Sequence, residues 1–331
     1  MDWRTFAAAL SLAALPAGAA ANTQVANLPG EGAPVAAAAP AATTDLAQTL
    51  AQTLAMQVDA YRRMTVAVQL NGQGPFRFMV DTGAQATVLS HALADHLQLT
   101  ERSTATLVGM ASTRQVQTAQ IAEIAFGDHS AFDARAALVD GENIGGADGI
   151  LGLDSLQDRR VLLDFENREM HIAHSSERAS TRGFDIVVRA RARNGQLIIA
   201  SAMIDGIRTA VVVDTGAQGS IGNEALQNRL RRARQNTETE MTDINGVQTT
   251  GMMRSIRSLD FGRAQINNLM ITFTPSPTFA ALELDDEPAL ILGMNELHLF
   301  ERVAIDFPSR RVLFDLPPGA SLPTAVDFGR L

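Results

Sequence analysis

One eight-residue pattern, identical in its last six residues, recurs in this chain, and no other feature constrains the fold as much. Phe78-Met79-Val80-Asp81-Thr82-Gly83-Ala84-Gln85 returns as Val211-Val212-Val213-Asp214-Thr215-Gly216-Ala217-Gln218, an offset of 133 residues. A single Asp-Thr-Gly arises by chance in roughly one chain in ten to twenty of this length, but two copies with matching flanks mark an internal repeat. Other landmarks recur in the same order. Helix-like stretches follow each motif, over 90–97 and 224–231. Each half then carries an apolar pair closed by glycine, Ile150-Leu151-Gly152 and Ile291-Leu292-Gly293, lying 71 and 79 residues past its Asp. A short helix is predicted after each glycine, opening on the good N-cap residues Asp154 and Asn295. Each half closes with an apolar-Asp-Phe strand, Leu163-Asp164-Phe165 and Ile305-Asp306-Phe307.

Between these landmarks the periodicity is that of strands. Met64, Val66, Val68 and Leu70 alternate with other residues, Asn71-Gly72 is a turn signal, and an apolar run leads into Asp81. The matching strand-like segments of the second half are 185–188 and 197–204. The chain is therefore read as a duplicated β-rich unit, with about one short helix after each motif.

The chemistry follows from where the motif sits. An apolar strand that ends in Asp-Thr-Gly presents a carboxylate at its terminus, with a hydroxyl beside it and a glycine permitting a tight turn and close backbone approach. Two such loops from pseudo-symmetric halves can bring Asp81 and Asp214 together across a local two-fold axis. Like charges that close cannot both ionise cheaply, so the pair shares one proton and titrates as a unit. Such a pair can act as general base toward a water while its protonated member donates to a carbonyl.

Composition removes the main competitors. With no cysteine, the chain has no disulfide, no Cys-ligated metal and no thiol nucleophile. A net charge of -9 argues against nucleic acid or an anionic lipid surface as partner. The six histidines (His91, His96, His129, His171, His174, His298) form no His-Glu-x-x-His and no helical i, i+4 pair, so neither a metal site nor a cofactor is expected. The basic run 229–234 reads as a solvated helix face and 285–287 as a loop.

The two Asp-Thr-Gly-Ala motifs and the two apolar-apolar-Gly segments resemble those of the retropepsin-like aspartic peptidases, relatives of the retroviral and pepsin-type enzymes. The likeness spans about 62–317. It implies an all-β fold of two pseudo-symmetric lobes, each a small closed β-barrel with a short helix, and one active site between them. It also implies Asp81 and Asp214 as catalytic, supported by Thr82, Gly83, Ala84, Thr215, Gly216 and Ala217. The two threonines would interlock beneath the pair, and each Leu-Gly segment would thread beside its own Asp loop. Substrate would be a peptide held extended beneath two flaps, for which the candidate turns are Val108-Gly109-Met110 and Ile244-Asn245-Gly246.

The departures from the retroviral pattern are coherent. Gln85 and Gln218 stand where an acidic residue follows the motif, and Leu153 and Met294 stand where its Arg partner would be, which is closer to bacterial members. The pepsin-type flap tyrosine has no counterpart, because the only Tyr, Tyr61, precedes the first repeat. Ser220 replaces Thr87 in the second half, one small hydroxyl for another.

Residues 1–21 have the order of a cleavable signal peptide: Arg4, an apolar run, Pro16, then small residues. The apolar run is far short of the ~20 residues of a membrane span. Residues 22–61 form an Ala/Pro-rich linker, within which Leu46, Leu50, Leu54 and Val58 suggest a short helix. The lobes are placed at 62–178 and 179–331. The expected protein is a periplasmic or secreted aspartic endopeptidase, monomeric, with no stable membrane span after processing. Two alternatives stand beside it. One is a non-catalytic peptide-binding module on the same fold, and the other is a homodimer whose lobes pair in trans.

Overall fold

Asn71 and Gly72 both adopt positive φ (50° and 73°) and form the two-residue turn of a hairpin between strands Met64–Leu70 and Gln73–Val80. Asp205 and Gly206 (φ 47° and 82°) do the same between Gln196–Ile204 and Ile207–Val213, so the repeat extends to the hairpin that delivers each motif. The computed structural model describes residues 64–317 apart from 128, 177–178, 231–236 and 262–263. It also describes the strands Thr5–Ala7, Ser11–Ala13, Gln52–Ala55 and Gln57–Val58.

In each half the ladder of strand pairs returns on itself. Met64–Leu70 pairs with Gln73–Val80, which lies parallel to Gly149–Leu151; the ring continues through Val88–Ser90, His129–Val139 and Thr113–Phe126, and closes at Gln69 and Leu70. The second ring runs through Gln196–Ile204, Ile207–Val213, Ala289–Leu292, Ser220–Gly222, Ala264–Phe273 and Gln248–Phe261. These are the two β-lobes the repeat implied.

A third sheet joins them. Its six strands include Arg159–Asp164 and Glu169–His174 from the first half and Ile186–Arg189, Arg302–Asp306 and Arg311–Asp315 from the second. The two apolar-Asp-Phe strands pair antiparallel with each other, Leu162 opposite Ala304. One continuous apolar core, from Val66 and Leu138 through Val161 and Ile305 to Phe261 and Phe314, underlies both lobes and this sheet.

Several elements match the expected positions. Helix His91–His96 is capped by the Ser90 side chain and helix Glu224–Arg229 by that of Asn223. Other expectations need correction. The helices after the glycine segments are Leu153–Ser155 (a 3-10 turn) and Met294–Leu297, and their caps are Gly152 and Gly293 without a side-chain bond. Asp154 is not a cap because its carboxylate is engaged by Thr87.

The helix suggested by Leu46 to Val58 is not formed where the residues are described. Gln52–Ala55 pairs with Glu169–His174, and Gln57–Val58 pairs with Met64–Leu70. A four-residue apolar spacing also satisfies a period of two, and an open sheet edge supplies hydrogen bonds that a short isolated helix cannot match. Within the leader, Thr5–Ala7 pairs parallel with Arg102–Val108, and Ser11–Ala13 pairs antiparallel with Thr237–Asp243. The remaining residues of the leader and linker, Tyr61, and 231–234 of the basic run lie outside the described residues.

Candidate active site

The two motif loops meet at the junction of the lobes. Each follows a strand whose last residues lie parallel to an apolar-Gly segment, Phe78–Val80 beside Gly149–Leu151 and Ala210–Val213 beside Ala289–Leu292. The Asp amides continue that pairing, Asp81 N to Leu151 O and Asp214 N to Leu292 O, both at 3.0 Å. Each carboxylate is then oriented by its own loop. Oδ1 of Asp81 accepts from Gly83 N (2.7 Å) and Ala84 N (3.0 Å), and Oδ1 of Asp214 accepts from Gly216 N (2.8 Å) and Ala217 N (3.1 Å).

Held this way, each carboxylate lies against the glycine of the other loop, Asp214 beside Gly83 and Asp81 beside Gly216. Burial, then the charge and close approach of the Asp81 carboxyl, push the Asp214 carboxyl well above its ordinary range, against the pull of the Gly216 and Ala217 amides. A buried carboxyl facing a second one is most stable when the two hold a single proton between them. The glycines of the motif are required by space and not by dihedral angle. A Cβ at Gly83 would strike the Asp214 carboxylate, and one at Gly216 would strike that of Asp81.

Beneath the carboxylates the threonines exchange hydrogen bonds across the local axis. Thr82 Oγ1 donates to Val213 O (2.9 Å) and accepts from Thr215 N (3.2 Å); Thr215 Oγ1 donates to Val80 O (2.7 Å) and accepts from Thr82 N (3.1 Å). All four bonds are buried and all four cross from one lobe to the other. Loop geometry on one side is therefore tied to that on the other.

Behind the loops lies a feature that the sequence reading did not identify. Thr87 donates its amide (3.0 Å) and hydroxyl (2.9 Å) to Asp154, and Ser220 donates its hydroxyl to Glu296 while accepting from Gly293 N (3.1 Å). A hydroxyl-carboxylate link thus joins each motif segment to its glycine segment, where retroviral members would have the ion pair. The paired hydroxyls Thr87 and Ser220 were the available signal. Their acids fall at non-equivalent positions, so no repeat comparison could find them. Glycine is needed here too, since a Cβ on Gly152 would meet the backbone of Ala86 and one on Gly293 that of Gly219.

Burial raises the Asp154 carboxyl, and it raises Glu296 from 4.5 to about 7. Because the folded value exceeds the unfolded one, Glu296 favours the fold fully below pH 4.5. That contribution declines up to about pH 7 and is absent above it. The thermal midpoint of the wild type is expected to fall relative to Glu296→Gln across this window; parallel curves for the two proteins would refute the assignment.

The candidate flap turns do face each other across the lobes. Val108, Gly109, Met110, Ile244 and Asn245 are buried, and Gly246 is exposed. Asp243 organises the contact. Its Oδ1 accepts from Asn245 N (3.0 Å) and Val247 N (2.9 Å) of its own hairpin, while Oδ2 accepts from Ser112 Oγ (2.7 Å) and Ala111 N (3.2 Å) of the other. Asn245 Nδ2 adds a bond to Ser112 Oγ at 3.0 Å. The tips also exchange side chains. Ile244 packs among Met79, Ala84, Val88 and Ile150, and Met110 among the equivalent Val212, Ala217, Ile221 and Ile291. Asp81 and Asp214 are both 0% exposed.

No group of three or more His, Asp or Glu able to hold a metal ion occurs among the described residues. Two family matches cover the two halves. Residues 66–158 match the family described as "gag-polyprotein putative aspartyl protease", and residues 200–295 match the family described as "Aspartyl protease". No curated protein matches the chain.

Proposed function

From the premise that this chain belongs to the retropepsin-like aspartyl proteases, as two such lobes in tandem, we propose that Asp81 and Asp214 form its catalytic dyad and that it is an endopeptidase. Convergence of the two carboxyls carries this reading: each lies against the motif glycine of the other loop, and each is pinned by two amides of its own loop. The same convergence speaks against a mere binding module.

In the proposed cycle a water binds between the carboxyls. The ionised member takes a proton from this water as its oxygen attacks the peptide carbonyl carbon, while the protonated member gives its proton to the carbonyl oxygen. A neutral gem-diol results. It collapses as one hydroxyl proton returns to the dyad and the other carboxyl protonates the leaving nitrogen, breaking the C–N bond. Acid and amine depart, and the pair again holds one proton. Substrate would lie extended between the motif loops and the tips around Met110 and Ile244, which must first release the bonds centred on Asp243. Cleavage of a peptide library by the protein, and loss of that cleavage in Asp81→Asn and Asp214→Asn, tests the assignment.

The site is built within one chain, so a monomer suffices, and the strand pairing of Arg159–Asp164 with Arg302–Asp306 supports that reading over pairing in trans. Gel filtration with an active-site count distinguishes one site per chain from two per dimer. Among the described residues no helix is long and apolar enough to cross a membrane. The leader supports export to a periplasmic or secreted location, with exported proteins or peptides as substrates. N-terminal sequencing is expected to find a mature chain starting between Ala20 and Asn22; an intact Met1 on cytosolic protein would overturn this.

A further inference from the structure

On the second lobe a cleft of about 530 Å3 gathers four arginines, Arg191, Arg193, Arg208 and Arg229, around an apolar floor that includes Ile198, Ala210 and Leu284. In a chain with net charge -9, four like charges around one concavity repel one another unless an anion sits among them. One acid, Glu287, lines the cleft, 4.0 Å from Arg193. The surplus is positive.

Two observations tie the cleft to the candidate active site. Its floor residues Ile198, Ala210 and Leu284 belong to the apolar cluster that holds Ala217 of the motif and receives Met110 from the opposite tip. Its wall is the hairpin Arg191–Arg193 with Gln196–Ile204, in which Arg193 lies opposite Gln196 and Arg191 opposite Ile198. Cross-strand partners project to the same face of a sheet, so the arginines share a face with Gln196. The Gln196 side-chain amide donates to Gly83 O, inside the first motif loop. The arginine row therefore begins beside the carboxyl pair and leads away from it.

Two of the arginines are positioned by the protein. Arg193 Nη1 donates to Glu283 O (2.7 Å) and Leu282 O (3.3 Å), and Arg208 Nε donates to Ala200 O (3.1 Å). Among the described residues the side chains of Arg191 and Arg229 have no hydrogen-bonding or ion-pair partner, and both residues are exposed. Guanidinium groups arranged around a concavity suit a planar carboxylate, which two N–H groups can engage at once.

The geometry points to this cleft as a substrate subsite for a carboxylate, carried by a peptide whose neighbouring apolar side chain enters the cluster around Ala217 and Ile291. The inference rests on the peptidase reading for its substrate, and its test does not require cleavage. Four fluorescent peptides of one apolar core are compared by anisotropy on the full protein: one with an internal Glu and an amidated end, one with Gln in its place, one with only a free C-terminal carboxylate, and one wholly neutral. The carboxylate-bearing peptides are expected to bind about tenfold tighter than the neutral one, with the advantage shrinking as salt rises.

Preference for the internal Glu would assign the cleft to a side chain, and preference for the free terminus to a chain end. The double variant Arg191→Glu/Arg229→Glu should abolish or invert the difference, and Arg191→Gln/Arg229→Gln should reduce it, without loss of affinity for the neutral peptide. Equal binding of all four peptides, or a carboxylate preference untouched by these variants, would overturn the subsite. If the protein cleaves peptides yet shows either result, the peptidase reading stands and this inference alone fails.

Discussion

Asp81→Asn and Asp214→Asn are each expected to lower peptide turnover by three or more orders of magnitude while the protein stays folded. Both effects come from the same geometry. The reaction needs one ionised and one protonated carboxyl at the same moment, and an amide can neither take the proton of the attacking water nor give one to the leaving nitrogen. The fold tolerates the change because Asn keeps an oxygen where Oδ1 of Asp214 accepts from Gly216 N and Ala217 N. It also removes one of two buried acids whose mutual repulsion raises the Asp214 carboxyl. The thermal midpoint should hold or rise.

Since the two carboxyls act as one unit, the double variant should be scarcely slower than either single one. Turnover and midpoint measured on the three variants decide the matter. Full activity in Asp81→Asn, or dependence on only one of the two residues, would refute the dyad and favour the binding module or trans pairing.

The largest expected loss of stability is at the threonines. Removing the Thr82 hydroxyl leaves Val213 O without its donor and Thr215 N without its acceptor, and removing that of Thr215 does the same to Val80 O and Thr82 N. An unsatisfied buried polar group costs about 1–3 kcal/mol, so each Thr→Ala change should cost about 2–4 kcal/mol. Because the four bonds form one reciprocal network, the two losses should not add. Turnover should fall as well, since these bonds set how the two motif loops face each other. Serine, which keeps the hydroxyl, should recover most of both. Denaturant unfolding supplies the stability and peptide cleavage the rate; a Thr82→Ala protein that unfolds and turns over like the wild type would show that the lobes are registered by the third sheet alone.

Much of this molecule was legible because it is written twice. The repeat located Asp81 and Asp214, ordered the strands around them and gave the glycine segments their place, since a duplicated local pattern must fold into a duplicated local structure. The helices after the motifs were equally visible, and their caps Ser90 and Asn223 came only with the structure. Contacts that break the repeat were not visible. Asp154 and Glu296 occupy different positions of their halves, Asp243 ties a hairpin to one 131 residues away, and Gln196 reaches Gly83 across 113 residues. Only the tertiary structure decided these, because a hydrogen bond between distant residues depends on where whole lobes dock and leaves no periodicity or spacing in the chain. The sequence by itself determined the repeated unit and its two acids. How two nearly equal halves differ at the flap tips, behind the loops and in the arginine cleft was set by packing one against the other.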